Sequence, residues 1–127
     1  MTLVHPDKLG PLWWWVRKGL DEVIARCNED WTVGQVYQAL TAGTAVLYIV
    51  GAEDGFMVVQ RENDSRGPIL FVWVLWGDCA DGQENHFHFV DELARSIGAD
   101  RIRMRSPRKG WQRRGFKVKT MVYEREV

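Results

Sequence analysis

The chain has 127 residues, of which 46% are apolar, 12% aromatic and 27% charged, and this composition predicts a single globular domain over residues 1–127. The longest apolar runs, residues 45–50 and 69–76, are far shorter than the roughly twenty residues that span a bilayer. No basic and apolar leader opens the sequence, so we expect an intracellular protein without a membrane anchor. Cys27 and Cys79 are too few for a disulfide framework and lack metal-ligand spacing, so we expect reduced thiols.

The first predicted element is an amphipathic helix over Leu12–Cys27, with Pro11 in a favoured first-turn position. Its apolar positions recur at helical spacing: Leu12, Trp15, Leu20, Val23, Ile24 and Cys27. Successive helical residues point about 100° apart, so this stripe cannot accommodate Trp13, Trp14 and Trp15 together. We therefore expect Trp13 or Trp14 to be exposed. We interpret the pair as a candidate contact for a protein partner or a second copy, since Trp is enriched at interface hot spots. The alternative is that one ring lies flat over a neighbouring loop.

A second, shorter helix follows from the sequence TVGQ at residues 32–35, which fits a capping box, and Gly43 ends it. The period then changes to that of strands. Residues 44–50 and 56–62 are rich in β-branched and aromatic residues, and a favoured Asp-Gly turn pair lies between them. These two segments predict an antiparallel hairpin.

The apolar run 69–76, followed by Gly77, predicts a central strand, because both faces of such a strand must be covered. Strict alternation assigns its side chains to two faces: Ile69, Phe71, Trp73 and Leu75 on one, and Leu70, Val72, Val74 and Trp76 on the other.

The last third of the chain predicts a helix and two strands. The helix has an apolar stripe: Phe87, Val90, Leu93, Ala94 and Ile97, and Gly98 ends it. A short strand over residues 101–105 places three arginines on one face, and an alternating segment predicts a final strand over residues 117–126. The order of elements predicts an α+β (mixed α/β) fold, in which helices flank a central mixed, mainly antiparallel sheet.

Charge is distributed unevenly, although the formal net charge is zero. Residues 1–100 carry seven Lys/Arg against fifteen Asp/Glu, whereas residues 101–127 carry ten against two. The basic cluster comprises Arg101, Arg103, Arg105, Arg108, Lys109, Arg113 and Arg114. It indicates either a surface for nucleic acid or a face that the acidic part of the same domain neutralises. We favour the second interpretation, and keep Arg103, Arg105, Arg113 and Arg114 as candidate residues of a protein interface.

The succession of a central apolar strand, a loop, a helix, an I-x-M strand, a short turn ending in Gly115-Phe116 and a last strand resembles the GNAT superfamily of acyl-CoA-dependent N-acyltransferases. The resemblance covers nearly the whole chain. More narrowly, residues 32–50 (TVGQVYQALTAGTAVLYIV) and 110–126 (GWQRRGFKVKTMVYERE) are similar to small GNAT-like proteins of tailed bacteriophages. This likeness implies a GNAT-like fold, and a location in the host cytoplasm or within a phage particle.

In GNAT enzymes a Gly-rich loop, Q/R-x-x-G-x-G/A, opens the helix after the central strand and holds the CoA pyrophosphate on backbone N–H groups. If this chain binds acetyl-CoA, the resemblance implies that the cofactor-binding residues are Gly77, Gly82, Gln83, Glu84 and Asn85. The loop nevertheless departs from the family pattern. It contains Asp78, Asp81 and Glu84 but no Lys or Arg, and three carboxylates repel a dianionic pyrophosphate. We therefore expect no cofactor to bind.

The resemblance assigns no catalytic residue either. Many family members have a Tyr four residues before the Gly-Phe pair, where it protonates the leaving thiolate, but Trp111 stands there in this chain. An indole N–H does not transfer its proton near neutral pH. Glu62 lies in the hairpin region from which some members draw a general base, and we interpret it as a solvated strand carboxylate.

The remaining reactive side chains predict no site. His86 and His88 are two residues apart on a predicted helix, hence on different faces, so we expect no metal. Cys79 and His86 form a candidate thiolate pair without an orienting third group, and we interpret Cys79 as a plain surface cysteine.

Three functions remain open. The first is a GNAT-fold binding or structural module with a degenerate acyl-CoA site. The second is an active N-acetyltransferase with a diverged loop, and the third is a nucleic-acid-binding module that uses the arginine face. We favour the first, with a protein or a second copy as partner and without nucleic acid, membrane or metal.

Overall fold

The computed structural model describes residues 1–27, 29–77, 83–105, 113, 115–119 and 121–127, with residues 83–87 described as backbone only. Its elements in chain order are strand β1 (Thr2–Val4), a 3-10 turn (Pro6–Lys8), helices α1 (Leu9–Cys27) and α2 (Val33–Ala42), strands β2 (Ala45–Val50), β3 (Gly55–Asp64) and β4 (Gly67–Gly77), helix α3 (Gln83–Ser96) and strand β5 (Ile102–Met104). The strands form one sheet in the order β1-β2-β3-β4-β5. Neighbouring strands are antiparallel except for β4 and β5, which are parallel. The predicted fold class is confirmed.

The N-terminal region differs from the prediction. Strand β1 pairs antiparallel with β2, with Thr2 opposite Ile49, and it was not predicted, because three residues are too few to show a period of two. Helix α1 begins at Leu9 rather than Leu12. Pro11 still lies in the first turn, where a backbone N–H has no partner within the helix.

Helix α2 has the predicted ends. The Thr32 hydroxyl accepts a hydrogen bond from the Gln35 backbone N–H at 3.2 Å, and the Gln35 side-chain oxygen accepts one from the Thr32 N–H at 2.8 Å. Gly43 ends the helix in the left-handed region, with φ of 80°. Because both ends are set by local hydrogen bonds, this helix could be located from sequence alone.

The sheet separates two hydrophobic cores. Helices α1 and α2 cover one face, where the buried side chains are Val4, Leu9, Val16, Leu20, Trp31, Val36, Leu40, Ala45, Leu47, Phe56, Val58 and Val74. Helix α3 covers the other face, over Met57, Val59, Leu70, Val72, Val90, Ala94 and Ala99. Burial of β4 between these layers confirms that it is a central strand, and β5 adds Ile102 and Met104 to the α3 layer.

Strand β4 does not alternate strictly, and this part of the prediction is wrong. Val58 lies opposite Val74 and the next residue, Val59, lies opposite Val72, so Trp73 is an extra residue in β4. Such a β-bulge reverses which side chains face which layer. Leu70 and Val72 face α3, whereas Val74 and Trp76 join the core under α1 and α2.

The predicted last strand is also wrong for the residues that the structure describes there. Residues 117–119 and 121–127 lie outside helices and strands, and Val122 and Tyr123 are 80% and 86% exposed. Alternation makes a strand only where a neighbouring edge accepts its backbone hydrogen bonds. No strand of the described sheet pairs with this segment.

Candidate functional site

The bulge at Trp73 marks the point where β4 and β5 separate. The two strands pair from Leu70 opposite Ile102 to Val72 opposite Met104, and no further pair follows in the described part of β4. Beyond Val72, β4 therefore runs on without β5 beside it. Bulges commonly adjoin functional sites, because they redirect a side chain and end strand pairing.

An open groove of about 660 Å³ lies beside the bulge, on the face covered by α1 and α2. Its wall is formed by Trp31 and Trp73, whose ring centroids are 5.9 Å apart with planes at 71°. The complete lining is Asp30, Trp31, Gln35, Gln38, Ala39, Ala42, Thr44 and Trp73. Helix α2 and the residues before it thus form one side of the groove and β4 the other.

The polar groups of the groove lie at its rim. The Asp30 carboxylate is 79% exposed and lies 3.7 Å from the Arg105 guanidinium. The Gln35 side-chain oxygen is already engaged by the helix cap, which leaves its NH₂ group to face a ligand. Aromatic side chains with nearby polar groups are common in small-molecule pockets, but this groove is more open than such pockets, which enclose most of a ligand.

The predicted cofactor loop connects β4 to α3. Gly77 is the last residue of β4, and Gln83, Glu84 and Asn85 form the first turn of α3. Gly82 belongs to residues 78–82, which lie outside the described residues, as do the Cys79 thiol and Trp111. The backbone N–H groups of a helix's first turn point outward and attract anions, so the loop ends at a suitable place for a phosphate.

Comparison with solved structures shows which proteins share this arrangement. An aminoglycoside acetyltransferase from an uncultured soil metagenomic sample, in complex with trehalose, aligns with a TM-score of 0.69 at 8% identity, over 98% of this chain and 93% of its own. A Clostridium acetobutylicum protein described as a predicted acetyltransferase, with acetyl-CoA, gives 0.67 at 10% identity over the same shares of the two chains. Ribosomal-protein-alanine N-acetyltransferase from Brucella melitensis biovar Abortus 2308 gives 0.63 at 11% identity, over 99% and 96%. The chain has a GNAT-like fold. No protein-family model and no curated protein matches the sequence.

The loop between β4 and α3 lies where the resemblance implies a pyrophosphate site, but its sequence is acidic. Between Gly77 and Phe87 the sequence has Asp78, Asp81 and Glu84 and lacks Lys and Arg. Three carboxylates in the sequence of this loop repel a pyrophosphate, and like-charge repulsion grows as water is excluded. The donor chemistry therefore does not fit the cofactor that the fold implies.

Glycine is required at position 77 by the packing of two strands. It lies opposite Gly55 in the β3–β4 register, and its φ of 121° is in the region that favours glycine. A Cβ at this position would collide with the Asp54 carbonyl oxygen and the Gly55 Cα. The close packing of the two strands thus requires glycine here whether or not a cofactor binds.

The basic face carries its own counter-charges. Arg101 donates two hydrogen bonds of 2.7 Å to the two carboxylate oxygens of Asp64. Together with the Arg66 backbone N–H, this contact holds the pKa of Asp64 well below its ordinary range. Arg103 lies 3.9 Å from Glu62 and 3.7 Å from Asp64. Two of the arginines therefore face strand carboxylates of β3, and Glu62 is part of this ion-pair cluster. Arg113 is exposed, and Arg114 lies outside the described residues.

Among the side chains that the structure describes, no group of three or more His, Cys, Asp or Glu is arranged to hold a metal ion. His88 is exposed on α3, and the His86 side chain is not among those described. No helix in the described ranges is long and apolar enough to cross a membrane.

The tryptophans at the start of α1 have three different environments, as helical geometry predicted. Trp15 packs inward against Phe56 and Trp76, with ring centroids 5.7 and 5.5 Å away. Trp13 is half-buried and contacts Tyr37 edge-on at 4.7 Å. Trp14 is 71% exposed, which confirms that one of these rings projects from the fold.

These environments predict that substitutions at Trp13 and Trp14 change the stability by different amounts. Trp14→Ser is expected to change the free energy of unfolding by no more than about 0.5 kcal/mol, because the ring is exposed. Trp13→Ser is expected to cost about 2 kcal/mol, since it removes the packing against Tyr37 and the first core. Urea denaturation of both variants measures the difference, and equal losses would contradict the placement of the two rings.

The groove itself was missed by sequence reasoning. Trp31 precedes a capping box and Trp73 lies within an unbroken apolar run, so neither position signals a ligand. Their proximity depends on the bulge in β4, which is a property of the register between two strands.

Proposed function

We propose that this chain is a GNAT-fold binding module that does not transfer acyl groups. The observation that carries the proposal is the loop between Gly77 and α3, where carboxylates replace the small or basic residues that a pyrophosphate needs. A second support is Glu62, which lies in the hairpin region from which some family members draw a general base, because its carboxylate faces the Arg103 guanidinium at 3.9 Å in an ion-pair cluster.

The groove beside Trp31 and Trp73 is the proposed ligand site. Its aromatic wall favours an apolar or aromatic group, and its rim of Gln38, Thr44 and the Gln35 amide favours a ligand with hydrogen-bonding atoms at one end. In this proposal the ligand binds non-covalently, through apolar contacts and hydrogen bonds.

The proposal extends to a phage setting and a protein partner. The likeness of residues 32–50 and 110–126 to small phage proteins favours a role in a phage particle or in host takeover. The exposed indole of Trp14 is the proposed contact for the partner, because a Trp buried in a partner's pocket contributes about 2 kcal/mol or more at a hot spot.

An active N-acetyltransferase is the second candidate. The separation of β4 from β5 after Val72, and the start of α3 at Gln83, place an open strand edge and a helix N-terminus in the same region. The C. acetobutylicum structure, which contains acetyl-CoA, shares the fold. This candidate requires the loop to bind CoA in spite of its carboxylates.

A nucleic-acid-binding module is less well supported. Arg101 and Arg103 face Asp64 and Glu62, and Arg105 lies near Asp30, so carboxylates compensate this face before any polyanion arrives. Binding through phosphate contacts also needs several free cations on one surface.

Calorimetric titration with acetyl-CoA separates the first two candidates. We expect no binding at roughly tens of micromolar, a range in which affinity still gives measurable heat. Binding in that range, together with thiol release when a panel of primary amines is added, would support the acetyltransferase and contradict the proposal.

A further inference from the structure

The two sides of the groove between α2 and β4 differ in chemistry. On the β4 side the half-buried Trp73 ring lines the groove, and the buried Trp31 ring packs against it at a centroid distance of 5.9 Å. An indole held in this way offers a rigid aromatic surface. On the α2 side the groove is lined by the exposed polar residues Gln35, Gln38 and Thr44. A ligand that fits both sides is therefore apolar on one face and polar along the other.

The polar side of the groove both donates and accepts hydrogen bonds. The Gln35 side-chain oxygen accepts a hydrogen bond from the Thr32 backbone N–H, which leaves the Gln35 NH₂ group as a donor. The Thr44 hydroxyl donates to the Ala39 carbonyl oxygen at 3.3 Å, which leaves its lone pairs as acceptors. The Gln38 side-chain amide supplies both kinds of group. Hydroxyl groups also donate and accept, so a ligand with several hydroxyls matches this side, whereas a purely apolar ligand would cover these groups without pairing them.

The polar groups are spread along the groove. Gln35 lies in the first turn of α2, and Ala42, which also lines the groove, is the last residue of this helix. Seven residues of helix rise about 10 Å. A single aromatic ring carries its polar substituents within a few ångströms, whereas linked pyranose rings carry hydroxyls along their whole length. The extent of the polar side therefore favours a ligand of two or more pyranose rings.

The lining of the groove is close to electrically neutral. Among its lining residues Asp30 carries the charge, and its carboxylate lies 3.7 Å from the Arg105 guanidinium. A cationic ligand would compete with Arg105, and an anionic ligand would face Asp30. A neutral ligand avoids both costs, and the exposed Asp30 carboxylate can still accept hydrogen bonds from its hydroxyl groups.

We propose that this groove binds a neutral saccharide of two or more rings. The C–H groups on one face of a pyranose ring lie against the Trp73 ring, because they are slightly positive and the face of an indole is negative. The hydroxyl groups at the ring edges bond to Gln35, Gln38 and Thr44. The groove volume of about 660 Å³ is within the range of small-molecule sites, and its open form admits part of a longer saccharide. The inference rests on the proposed function, since it names the ligand class of the same groove.

NMR titration of ¹⁵N-labelled protein with cellobiose, maltose and lactose tests the ligand class. These neutral disaccharides differ in linkage or in hydroxyl orientation. We expect at least one of them to shift the indole N–H resonance of Trp73 with a Kd of roughly 1 mM, because an open groove covers only part of its ligand. Gln38→Ala is expected to weaken binding about fivefold through the lost hydrogen bonds. Thr41→Ala is the matched control, since Thr41 is also exposed on α2 but does not line the groove.

Two reference ligands separate the alternatives, tetramethylammonium for a cation and phenol for an aromatic group. The saccharide is overturned if none of the disaccharides shifts the Trp73 resonance at about 20 mM, well above the expected Kd. A shift by either reference ligand at a lower concentration than any disaccharide also overturns it, and so do equal losses in Gln38→Ala and Thr41→Ala. Titration of the same sample with acetyl-CoA distinguishes the two proposals. Binding of acetyl-CoA contradicts the proposed function, whereas absence of saccharide binding alone contradicts only this inference.

Discussion

Gly19→Ala is expected to lower the free energy of unfolding by about 2 kcal/mol, although alanine is the best helix former. A Cβ on Gly19 would lie 2.5 Å from Phe56 Cε1 and 2.6 Å from Trp76 Cδ2. Neither ring can retreat easily. Phe56 is fully buried, and the Trp76 indole N–H donates a 2.7 Å hydrogen bond to Glu22.

The control for this substitution lies in the same helix. Gly10 has no heavy atom within 4 Å of a built Cβ, so Gly10→Ala is expected to leave stability unchanged or raise it by up to about 1 kcal/mol. Urea denaturation of the two variants gives the comparison. A stabilising Gly19→Ala would show that α1 is not packed this closely on β3 and β4.

Gly77→Ala is expected to cost about 3 kcal/mol or more in the absence of any ligand. Two effects combine at this position. The φ of 121° is strained for alanine, and the added methyl group meets the backbone of Asp54 and Gly55, which cannot move away without opening the β3–β4 pair.

Gly67→Ala separates these two effects. Gly67 has a similar φ of 115°, but a Cβ there would have open space around it, so this variant carries backbone strain alone and is expected to cost about 1–2 kcal/mol. Thermal and urea unfolding of both variants gives the difference. If Gly77→Ala costs no more than Gly67→Ala, the close packing of Gly77 on Gly55 does not limit the fold.

Sequence reasoning worked where structure depends on neighbours in the chain. The capping box at Thr32 and the end of α2 at Gly43 depend on residues close together in the sequence. The same is true of the turn between β2 and β3 and of the apolar run of β4. Helical geometry alone predicted that Trp13 or Trp14 is exposed, and the structure shows that it is Trp14.

Features that depend on distant residues were not predicted. The bulge at Trp73 is fixed by how β4 pairs with β3, and the groove needs Trp31 from before α2 to reach it. Strand β1 forms because its backbone pairs with the edge of β2. The last strand was expected from alternation, yet a strand also needs a partner edge, and the described chain leaves residues 121–127 outside the sheet.

The candidate cofactor loop could be predicted from the sequence only in part. Its position after the central strand could be predicted, because the apolar run ends at Gly77 and a helical stripe follows. The acidic character of the loop could also be predicted, since Asp78, Asp81 and Glu84 are evident from the sequence. What needed the structure was the separate reason for Gly77, which lies in the strand pair with Gly55.

The carboxylates of this loop, rather than the fold, are proposed to keep acyl-CoA out. The direct test is calorimetric titration of CoA into three proteins: the wild type, a loop variant and a charge-matched control. The loop variant combines Asp78→Asn, Asp81→Asn and Glu84→Gln, and the control neutralises three exposed carboxylates elsewhere with Asp7→Asn, Asp21→Asn and Glu92→Gln. We expect no binding by the wild type or the control, and at least about tenfold stronger binding by the loop variant, because pyrophosphate then meets backbone N–H groups without opposing charge. Binding of CoA by the wild type at roughly tens of micromolar, or a loop variant as inert as the wild type, would contradict this account.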